Sequence, residues 1–388
     1  MPVINRVAAL HEEITGWRRD FHTHPEIGYD VHRTAGLVAE RLRSFGCDEV
    51  VPGVGRTGVV GVIRGRHAGP TRAIGLRADM DALPIHEITG VSYASITNGK
   101  MHACGHDGHT AMLLGAAKYL AETRNFAGTA VVVFQPAEEG GAGGKAMVDD
   151  GLMQRFAISE VYGMHNMPGI PVGHFGVRHG AIMAAADRIE VHIEGRGSHA
   201  AKPHLAIDPV LIGCQLGNMV QAIVARNIDP LESAVVSLTQ FNAGSAFNVI
   251  PQTAWMCGTV RSLNEATRTR VYERLDAIAA ALGAQHGATV RIERGEGYPV
   301  TVNHAAQADF AAEVAREVVG APNVDADTPP MMGGEDFSFM LEARPGAFLF
   351  IGNGDSQGLH HPGYNFDDAA IPAGVSFLAR LIEKRLPA

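Results

Sequence analysis

The segment from Met101 to Thr110 contains the residues best suited to chemistry in this chain. Its sequence, MHACGHDGHT, holds three imidazoles, a thiol and a carboxylate. Apolar residues at helical spacing follow it and predict a helix that begins near Thr110. Cys104 and His106 would then lie in extended backbone, where side chains two residues apart point the same way. Because the helix dipole favours a thiolate, and thiolates and neutral imidazoles bind transition metals, the segment predicts a metal site.

Each of these side chains, taken alone, would more often be a solvated loop imidazole or a small buried thiol. Their number within one short segment favours metal binding. His22 and His24, in the stretch DFHTHPE, are also possible ligands. The preferred interpretation places both in a loop between a first helix, predicted over 4–20, and the turn at Pro25.

Acidic residues follow two strands that the sequence predicts. Short apolar runs lead into Asp79 and Asp81, and into Glu138 and Glu139. Ligand sites of α/β folds lie at the carboxyl ends of strands. Adjacent carboxylates repel each other, and a metal would convert that cost into binding. In extended backbone the two glutamates would point in opposite directions, so one could bind metal while the other faces the reacting water. A pair of solvated surface acids is the alternative.

Further histidines recur where strands are predicted to end. His165 follows an apolar run, and His360 and His361 stand together near the C-terminus. One such histidine would more often be structural, but the recurrence at strand ends favours a site. The glycine-rich segment 140–146 is not a phosphate-binding loop, because it lacks the first glycine and has Ala146 where Ser or Thr would hold magnesium.

Length, charge and cysteine content limit the classes of protein. A chain of 388 residues favours two domains. The net charge of −9 and the lack of a basic tract argue against nucleic-acid and anionic-membrane partners. No apolar run reaches the ~18 residues of a membrane span, and the N-terminal residues predict an amphipathic helix rather than a secretory signal. Four cysteines without a CxxC motif argue against a disulfide scaffold and favour a cytoplasmic location.

Residues 184–293 have a different pattern from the rest of the chain. They predict the order strand, helix, strand, strand, helix, strand, which is that of a ferredoxin-like domain. We therefore expect an α/β catalytic domain formed by 1–183 and 294–388, interrupted by an inserted βαββαβ lid. The open edge or the helices of that lid could pair with a second copy, so a homodimer or a dimer-based oligomer is expected.

A family resemblance covers nearly the whole chain. It rests on these motifs, in this order: HTHPE, LRADMDALP, MHACGHDGHTA, QPAEEGG, GMHNMP, GSHAA, NVIP, GTVRS, GGEDF and LHHPGYNFD. They resemble the metallo-amidohydrolase branch of the aminoacylase and carboxypeptidase-G superfamily. That branch includes hippurate hydrolases, N-acyl-amino-acid amidohydrolases and auxin-conjugate hydrolases. The resemblance implies a zinc-peptidase-like catalytic domain with a ferredoxin-like dimerisation lid.

The resemblance also implies a dinuclear metal centre. Its ligands would be Cys104, His106, Glu139, His165 and His360. Cys104 would join two divalent ions, with Mn²⁺, Zn²⁺, Co²⁺ and Ni²⁺ all compatible with the ligands. His361 competes with His360 for the last position, because the family motif has one histidine after leucine. His360 is preferred since it directly follows Leu359.

The same resemblance assigns roles around the metals. Glu138 would be the general base and Asp81 an orienting carboxylate. Asp79 stands where peptidase relatives have a ligand histidine, and His106 would supply that nitrogen. Lid residues His199, Asn248 and Arg261 match residues that, in relatives, reach the active site of the partner subunit.

These roles predict hydrolysis of the amide bond of N-acyl-amino acids. Divalent ions would activate water and polarise the scissile carbonyl, and Glu138 would move the proton. His199 would stabilise the oxyanion and Arg261 would bind the substrate carboxylate. A dipeptidase or carboxypeptidase of the same superfamily is the nearest alternative. A non-catalytic binding protein on this fold is a further alternative, which the complete set of proposed ligands argues against.

Overall fold

The computed structural model describes residues 3–69 and 71–388. Within these residues the α-helices are α1 (Asn5–Thr23), α2 (His32–Ser44), α3 (His106–Thr123), α4 (Glu138–Gly141), α5 (Gly143–Asp149), α6 (Leu152–Arg155), α7 (Pro209–Asn227), α8 (Glu265–His286), α9 (Ala305–Val319), α10 (Ser338–Ala343) and α11 (Ile371–Arg385). The strands are β1 (Glu49–Val54), β2 (Gly58–Arg64), β3 (Ala73–Asp79), β4 (Thr129–Gln135), β5 (Ile158–Met167), β6 (Phe175–Gly176), β7 (Gly180–Met183), β8 (Ala185–Glu194), β9 (Ser198–His199), β10 (Ala234–Ala243), β11 (Val249–Ile250), β12 (Thr253–Ser262), β13 (Thr289–Arg294), β14 (Thr301–Asn303), β15 (Val324–Asp325) and β16 (Gly346–Gly352).

The chain divides into two compact units. The first runs to Gly180 and resumes at Val302–Pro329 and Asp336–Ala388. The second comprises Ala181–Thr301 and Pro330–Glu335. The predicted insertion, 184–293, falls within the second unit.

An eight-stranded sheet forms the centre of the first unit, in the order β1-β2-β4-β3-β5-β16-β6-β15. The neighbours β4, β3, β5 and β16 run parallel. Parallel strands are covered on both faces and therefore have continuous apolar sequences, as in the TAVVVFQ segment of β4. Their carboxyl ends share one edge of the sheet. Asp79 ends β3, and the QPAEE segment follows β4 at that edge.

Helices α1, α3 and α11 pack together in the core of this unit. Helix α3 is buried almost all round, and Gly115 allows close approach because a Cβ there would meet Ile14 on α1 and Val375 on α11. Two predicted boundaries are wrong here. Helix α3 begins at His106, four residues before Thr110, and α1 extends through His22, which was predicted to lie in a loop.

The second unit contains a four-stranded antiparallel sheet in the order β10-β12-β8-β13. The buried side of β8 carries Ile189, Val191 and Ile193, which share a core with apolar residues of α7 and α8. Both helices start with a side-chain cap: Asp208 accepts from the backbone of α7, and Asn264 from that of α8. The observed elements follow the βαββαβ order in sequence.

Among the described residues, no helix combines the length and the apolar character that a membrane-crossing segment needs.

Candidate metal centre

A sharp turn at Gly105 directs the Cys104 and His106 side chains. Gly105 has φ of +89°, and α3 begins at the next residue. A Cβ at this position would overlap the amide of Asn166 and the hydroxyl of Tyr364. That amide donates to the carbonyl of Cys104 at 2.6 Å, which holds the turn against β5. The two side chains therefore converge through a left-handed turn and the first residue of a helix, rather than through the predicted extended backbone.

Cys104, His106 and His165 form one group of potential ligands. One donor atom from each lies within 4.8 Å of the others, and all three residues are buried. Cys104 Sγ is 3.4 Å from His165 Nε2. His165 Nδ1 is 2.6 Å from the backbone carbonyl of Asn166, to which it can only donate. This contact places the proton on Nδ1 and leaves the lone pair of Nε2 available for a metal ion.

A second group consists of Cys104, Glu139 and His360, again with donor atoms within 4.8 Å. Glu139 Oε1 is 3.2 Å from His360 Nε2. The backbone N–H of His360 donates to Ala103 at 2.8 Å, which ties the C-terminal segment to the cysteine loop. His361 Nδ1 instead accepts from the N–H of Gly363 at 3.0 Å. The geometry therefore favours His360 over its neighbour as a ligand.

The two glutamates lie on a turn, where extended backbone was predicted. Ala137 has φ of +53°, and the short helix α4 starts at Glu138. One carboxylate oxygen from Glu138 and one from Glu139 lie within 4.8 Å of each other and of a nitrogen of His106. The prediction that they point in opposite directions is wrong, because a left-handed residue before a helical turn brings both toward the same cluster.

Asp81 organises this turn. It accepts hydrogen bonds from the backbone N–H groups of Glu138 and Glu139 at 2.9 and 3.1 Å. One of its oxygens also lies 3.5 Å from His106 Nδ1. A carboxylate beside the far nitrogen of a metal-binding histidine sets the orientation of the ring. Asp81 thus occupies a position from which it can orient His106 and the glutamate turn together.

Asp79 is engaged by two neighbours. It contacts His109 Nδ1 at 2.6 Å and accepts from Arg77 Nη1 at 2.6 Å, while His106 Nε2 is 3.8 Å away. His109 Nε2 in turn accepts from the backbone N–H of Asn166 at 2.9 Å. His109, part of the histidine cluster of the sequence, therefore connects the ends of β3 and β5.

Arg77 and Asn166 were missed by sequence reasoning. Arg77 is a cation inside an otherwise apolar strand, and it also donates to Asp336 at 3.0 Å. A charged residue in a buried strand indicates a buried partner of opposite charge, which is a signal that the sequence contained. Asn166 carried no such signal, because its role depends on partners distant in sequence.

The pKa shifts in the cluster show that negative charge dominates it. Burial would lower the pKa of His106, but Asp79, Asp81 and Glu139 outweigh it and raise that pKa to about 10. Burial, together with the Glu139 carboxylate, raises the pKa of the Cys104 thiol well above its usual value. The dipole of α3 was expected to favour the thiolate of Cys104, but without a metal ion burial and the nearby carboxylate outweigh that dipole. A divalent cation reverses that balance and deprotonates a coordinating thiol.

The residues fit a pair of divalent metal ions. Among the described residues, neither ring nitrogen of His106 makes a hydrogen bond, with Nδ1 lying 3.5 Å from Asp81, and buried Oε1 of Glu139 makes none beyond its 3.2 Å ion-pair contact with His360 Nε2. Buried polar groups are normally satisfied, so such atoms need an explanation. The mixture of sulfur, nitrogen and oxygen donors suits first-row transition ions. Cys104 belongs to both ligand groups, as a residue shared between two ions would.

The remaining predicted site residues lie in the second unit. His199 pairs with Val249 between β9 and β11, and Ala200 donates to the carbonyl of Asn248 at 3.0 Å, so His199 and Asn248 lie close together. His199 Nδ1 accepts from the N–H of Ala201 at 3.0 Å, which leaves Nε2 as a donor. Arg261 is on β12, where its Nε donates to Thr259 at 3.0 Å.

Comparison with known proteins identifies the family. Residues 75–384 match the model of peptidase family M20/M25/M40. The chain belongs to that family. A hippurate hydrolase of Campylobacter jejuni is 42% identical over all of both chains, and an N-acetyl-L-cysteine deacetylase of Bacillus subtilis is 40% identical over 96% of this chain and 88% of its own. A thermostable carboxypeptidase of Saccharolobus solfataricus is 39% identical over 94% of this chain and 93% of its own.

A solved M20 structure shows the same fold. A Bacillus subtilis protein described as a dinuclear metal-binding peptidase is similar with a TM-score of 0.84 and 34% identity, over 98% of this chain and 99% of its own. The predicted family, the α/β fold class with a large central sheet and the assignment to amidohydrolase enzymes are confirmed. The roles of individual residues and the insertion boundaries stay predictions.

Proposed function

We propose that this M20 enzyme hydrolyses the amide bond of N-acyl-amino acids with two divalent metal ions, releasing a carboxylic acid and a free amino acid. The observation that carries the proposal is the convergence of two ligand groups that share Cys104. The similarity to a hippurate hydrolase and a deacetylase supports the class of substrate.

The metal ligands would be divided between the two groups. Cys104, His106 and His165 would hold one ion, and Cys104, Glu139 and His360 the other. Divalent ions at such a site lower the pKa of water and polarise a carbonyl group. Mn²⁺, Zn²⁺, Co²⁺ and Ni²⁺ are all candidates, since each accepts a mixed donor set.

Glu138 is the proposed general base. It is 6% exposed, and one of its oxygens lies within 4.8 Å of donor atoms of His106 and Glu139. From there it would take a proton from the attacking water and pass it to the departing amine nitrogen. Asp81 would keep this carboxylate in place by binding the backbone N–H of Glu138.

Three residues of the second unit would recognise the substrate. Arg261 offers a planar guanidinium suited to a carboxylate, and it remains charged although burial lowers its pKa. His199 presents Nε2 as a donor to an oxyanion, a contribution typically worth ~3 kcal/mol. Asn248 lies beside His199 and would assist it. A substrate with a free α-carboxylate is therefore proposed over a simple amide.

A homodimer or dimer-based oligomer is part of the proposal, with these residues serving the partner subunit's site. Strand β10 is an edge of the four-stranded sheet, and its second half is exposed. Phe241 on β10 and Leu211 and Met219 on α7 are exposed apolar side chains. An open strand edge beside apolar surface is suited to pairing with a second copy. Because all four cysteines are free thiols, a cytoplasmic location is also proposed.

A carboxypeptidase or dipeptidase is the second candidate, supported by the Saccharolobus carboxypeptidase relative. It would use the same metals but accept a peptide in place of a simple acyl group. Metal-free protein reloaded with each of the four ions and assayed on benzoyl- and acetyl-amino acids beside dipeptides separates the two. We expect faster hydrolysis of the N-acyl-amino acids. A clear preference for dipeptides would replace the first proposal with the second.

Arg261 provides a test of the substrate class. Arg261→Ala is expected to raise KM for benzoylglycine by roughly 10–100-fold, because a charge-assisted hydrogen bond contributes about 1.5–3 kcal/mol. The same change should leave KM for benzoylglycinamide, which has no carboxylate, nearly unaltered. An equal effect on both substrates, or none on either, would reject the carboxylate-binding role.

A further inference from the structure

A buried ionic cluster lies beside the metal centre and contains none of the proposed ligands. His22 and Arg18 of α1 meet Asp107 of α3, with His22 Nδ1 at 2.8 Å and Arg18 Nη1 at 3.4 Å from the same carboxylate oxygen. His22 Nε2 is 3.3 Å from Glu87. The guanidinium of Arg18 lies 4.5 Å from the centre of the Tyr93 ring. These contacts give the HTHPE motif a role other than ligand or loop residue.

Charge pairing holds this cluster together. His22, Arg18 and Asp107 are almost completely buried, and buried charges are tolerated when they are paired. Burial would lower the pKa of His22, but Asp107 and Glu87 raise it to about 9. His22 is therefore a cation between two carboxylates at neutral pH. His24, by comparison, is half-buried and contacts the backbone carbonyl of Asp20 at 2.9 Å.

Asp107 connects this cluster to the metal site. Asp107 directly follows His106, and both belong to the first turn of α3. Because successive residues of a helical turn have fixed relative directions, holding Asp107 also fixes where His106 points. Gly105 permits a range of backbone conformations before this turn, so the turn needs an external anchor. Helix α1 supplies one anchor through two cations, in addition to the bond from the Asn166 amide to the Cys104 carbonyl.

We propose that His22 is a positioning residue, which holds Asp107 so that the first turn of α3 presents His106 to the metal ions. The inference rests on the metal-dependent function proposed above. Residues that orient metal ligands in this way typically contribute 10–100-fold to metal affinity. The expected effect therefore lies in metal binding as well as in turnover.

Two substitutions at His22 separate its two contacts. The amide nitrogen of Asn reaches the position of the imidazole Nδ1, which faces Asp107, whereas that of Gln reaches the position of Nε2, which faces Glu87. His22→Gln should weaken Co²⁺ binding by roughly 10–100-fold and change the visible absorption of the Co²⁺-loaded protein. His22→Asn, which keeps the contact with Asp107 but loses the charge, should remain closer to wild type than His22→Gln in both. Titration of metal-free protein with Co²⁺ gives both readouts.

Arg19→Gln is the matched control. Arg19 is next to Arg18, and both donate to the Asp368 carboxylate, Arg18 at 2.8 Å and Arg19 at 2.9 Å. Within the described residues, no hydrogen bond joins Arg19 to Asp107. Its loss should leave the Co²⁺ affinity unchanged. If His22→Gln fails to fold, Arg18→Lys keeps the positive charge but loses the planar group that reaches Asp107, and it should weaken Co²⁺ binding in the same direction.

The outcomes separate this inference from the proposed function. Equal Co²⁺ affinities in the Asn and Gln variants, whether both unchanged or both reduced, would overturn the positioning role. Wild-type protein that binds no divalent ion would overturn the role and the function together. Wild-type protein that binds two ions but cleaves no N-acyl-amino acid would refute the substrate class alone, and the comparison of the variants would still decide the role of His22.

Discussion

The two ends of strand β5 bury charged groups in different ways. Near its amino end, Glu160 accepts hydrogen bonds from Arg385 at 2.7 Å and from Tyr162 at 2.9 Å, and it also binds Arg72 and Gln307. Burial would raise the pKa of Glu160, but the bonds from Arg385 and Tyr162 outweigh it and lower that pKa. The Glu160 carboxylate is therefore fully engaged by partners within the protein.

Near the carboxyl end of β5 the balance is different. His165 lies there beside a cluster of carboxylates, and among the described residues the buried ring nitrogens of His106 and Oε1 of Glu139 have only ion-pair contacts in place of hydrogen bonds. The same sheet thus carries a complete ionic cluster around Glu160 and an incomplete cluster around His106 and Glu139. The difference teaches that burial of charge alone does not indicate a site. Incomplete pairing among potential ligand atoms that converge within 4.8 Å does, because the missing partner can be a cation from solution.

Removal of the shared ligand should have the largest effect. In Cys104→Ser the hydroxyl replaces a thiolate that belongs to both ligand groups, and transition ions bind a neutral hydroxyl poorly. We expect loss of at least one ion per subunit by metal analysis and loss of measurable hydrolysis. Cys47→Ser, in the same unit but outside both groups, is the control. Full metal content in the Cys104 variant would contradict the assignment.

Replacement of the base should affect the rate without affecting the metals. Glu138→Gln keeps the shape of the side chain but cannot take a proton, so kcat should fall by roughly 10²–10⁴-fold while metal content stays normal. Glu139→Gln should instead lose metal. The reverse pattern, with metal lost in the first variant and retained in the second, would show that the two glutamates exchange roles.

Much of this incomplete cluster could be predicted from sequence. Apolar runs that lead into Asp79, Asp81 and His165 identified strand ends, and parallel strands bring such ends to one edge. The order of elements in the second unit was also readable, because β8 alternates buried and exposed residues and α7 begins with a capping Asp208. These features depend on local patterns of polarity, which a single sequence displays.

Local backbone reversals could not be predicted. Ala137 adopts a positive φ without being glycine, so the turn that carries Glu138 left no mark in the sequence. The predicted start of α3 is late because the apolar residues at helical spacing that predict the helix lie after its first turn, which begins at His106. The structure shows that Gly108 is required by contact, since a Cβ there would overlap the Phe366 ring. Such contacts join residues far apart in the chain, and a sequence pattern does not reveal them.

Loss of a charge from the complete cluster around Glu160 should lower stability and leave metal binding unchanged. Glu160→Gln removes the charge that Arg385 and Arg72 share and is expected to lower the free energy of unfolding by roughly 1–2 kcal/mol, below the full value of charge-assisted hydrogen bonds because solvent screens both partly exposed arginines. Urea denaturation of metal-free protein measures the loss, and Co²⁺ titration should show unchanged affinity. Glu317→Gln, which loses an exposed contact with Lys384, should have little effect on either. A weaker Co²⁺ affinity in the Glu160 variant would remove the contrast between the two ends.

The smallest expected effect is the pH dependence of stability in the buried cluster of His22, Arg18 and Asp107. There the carboxylates of Asp107 and Glu87 are paired in part with a histidine, which titrates. The pKa of His22 is raised from 6.5 to about 9 in the folded protein. A raised pKa contributes stability that is complete below the unfolded value and is lost as pH rises through the folded value. Arg385 beside Glu160 remains charged over that range.

The groups facing His22 are Asp107, Glu87, Arg18, His102 and Tyr93, so the comparison needs a variant that changes His22 alone. The difference in Tm between metal-free wild type and His22→Asn should therefore shrink as pH rises from about 6.5 to above about 9. A difference that stays constant would mean that His22 is already neutral at pH 7, and that Arg18 alone supplies the cation for Asp107.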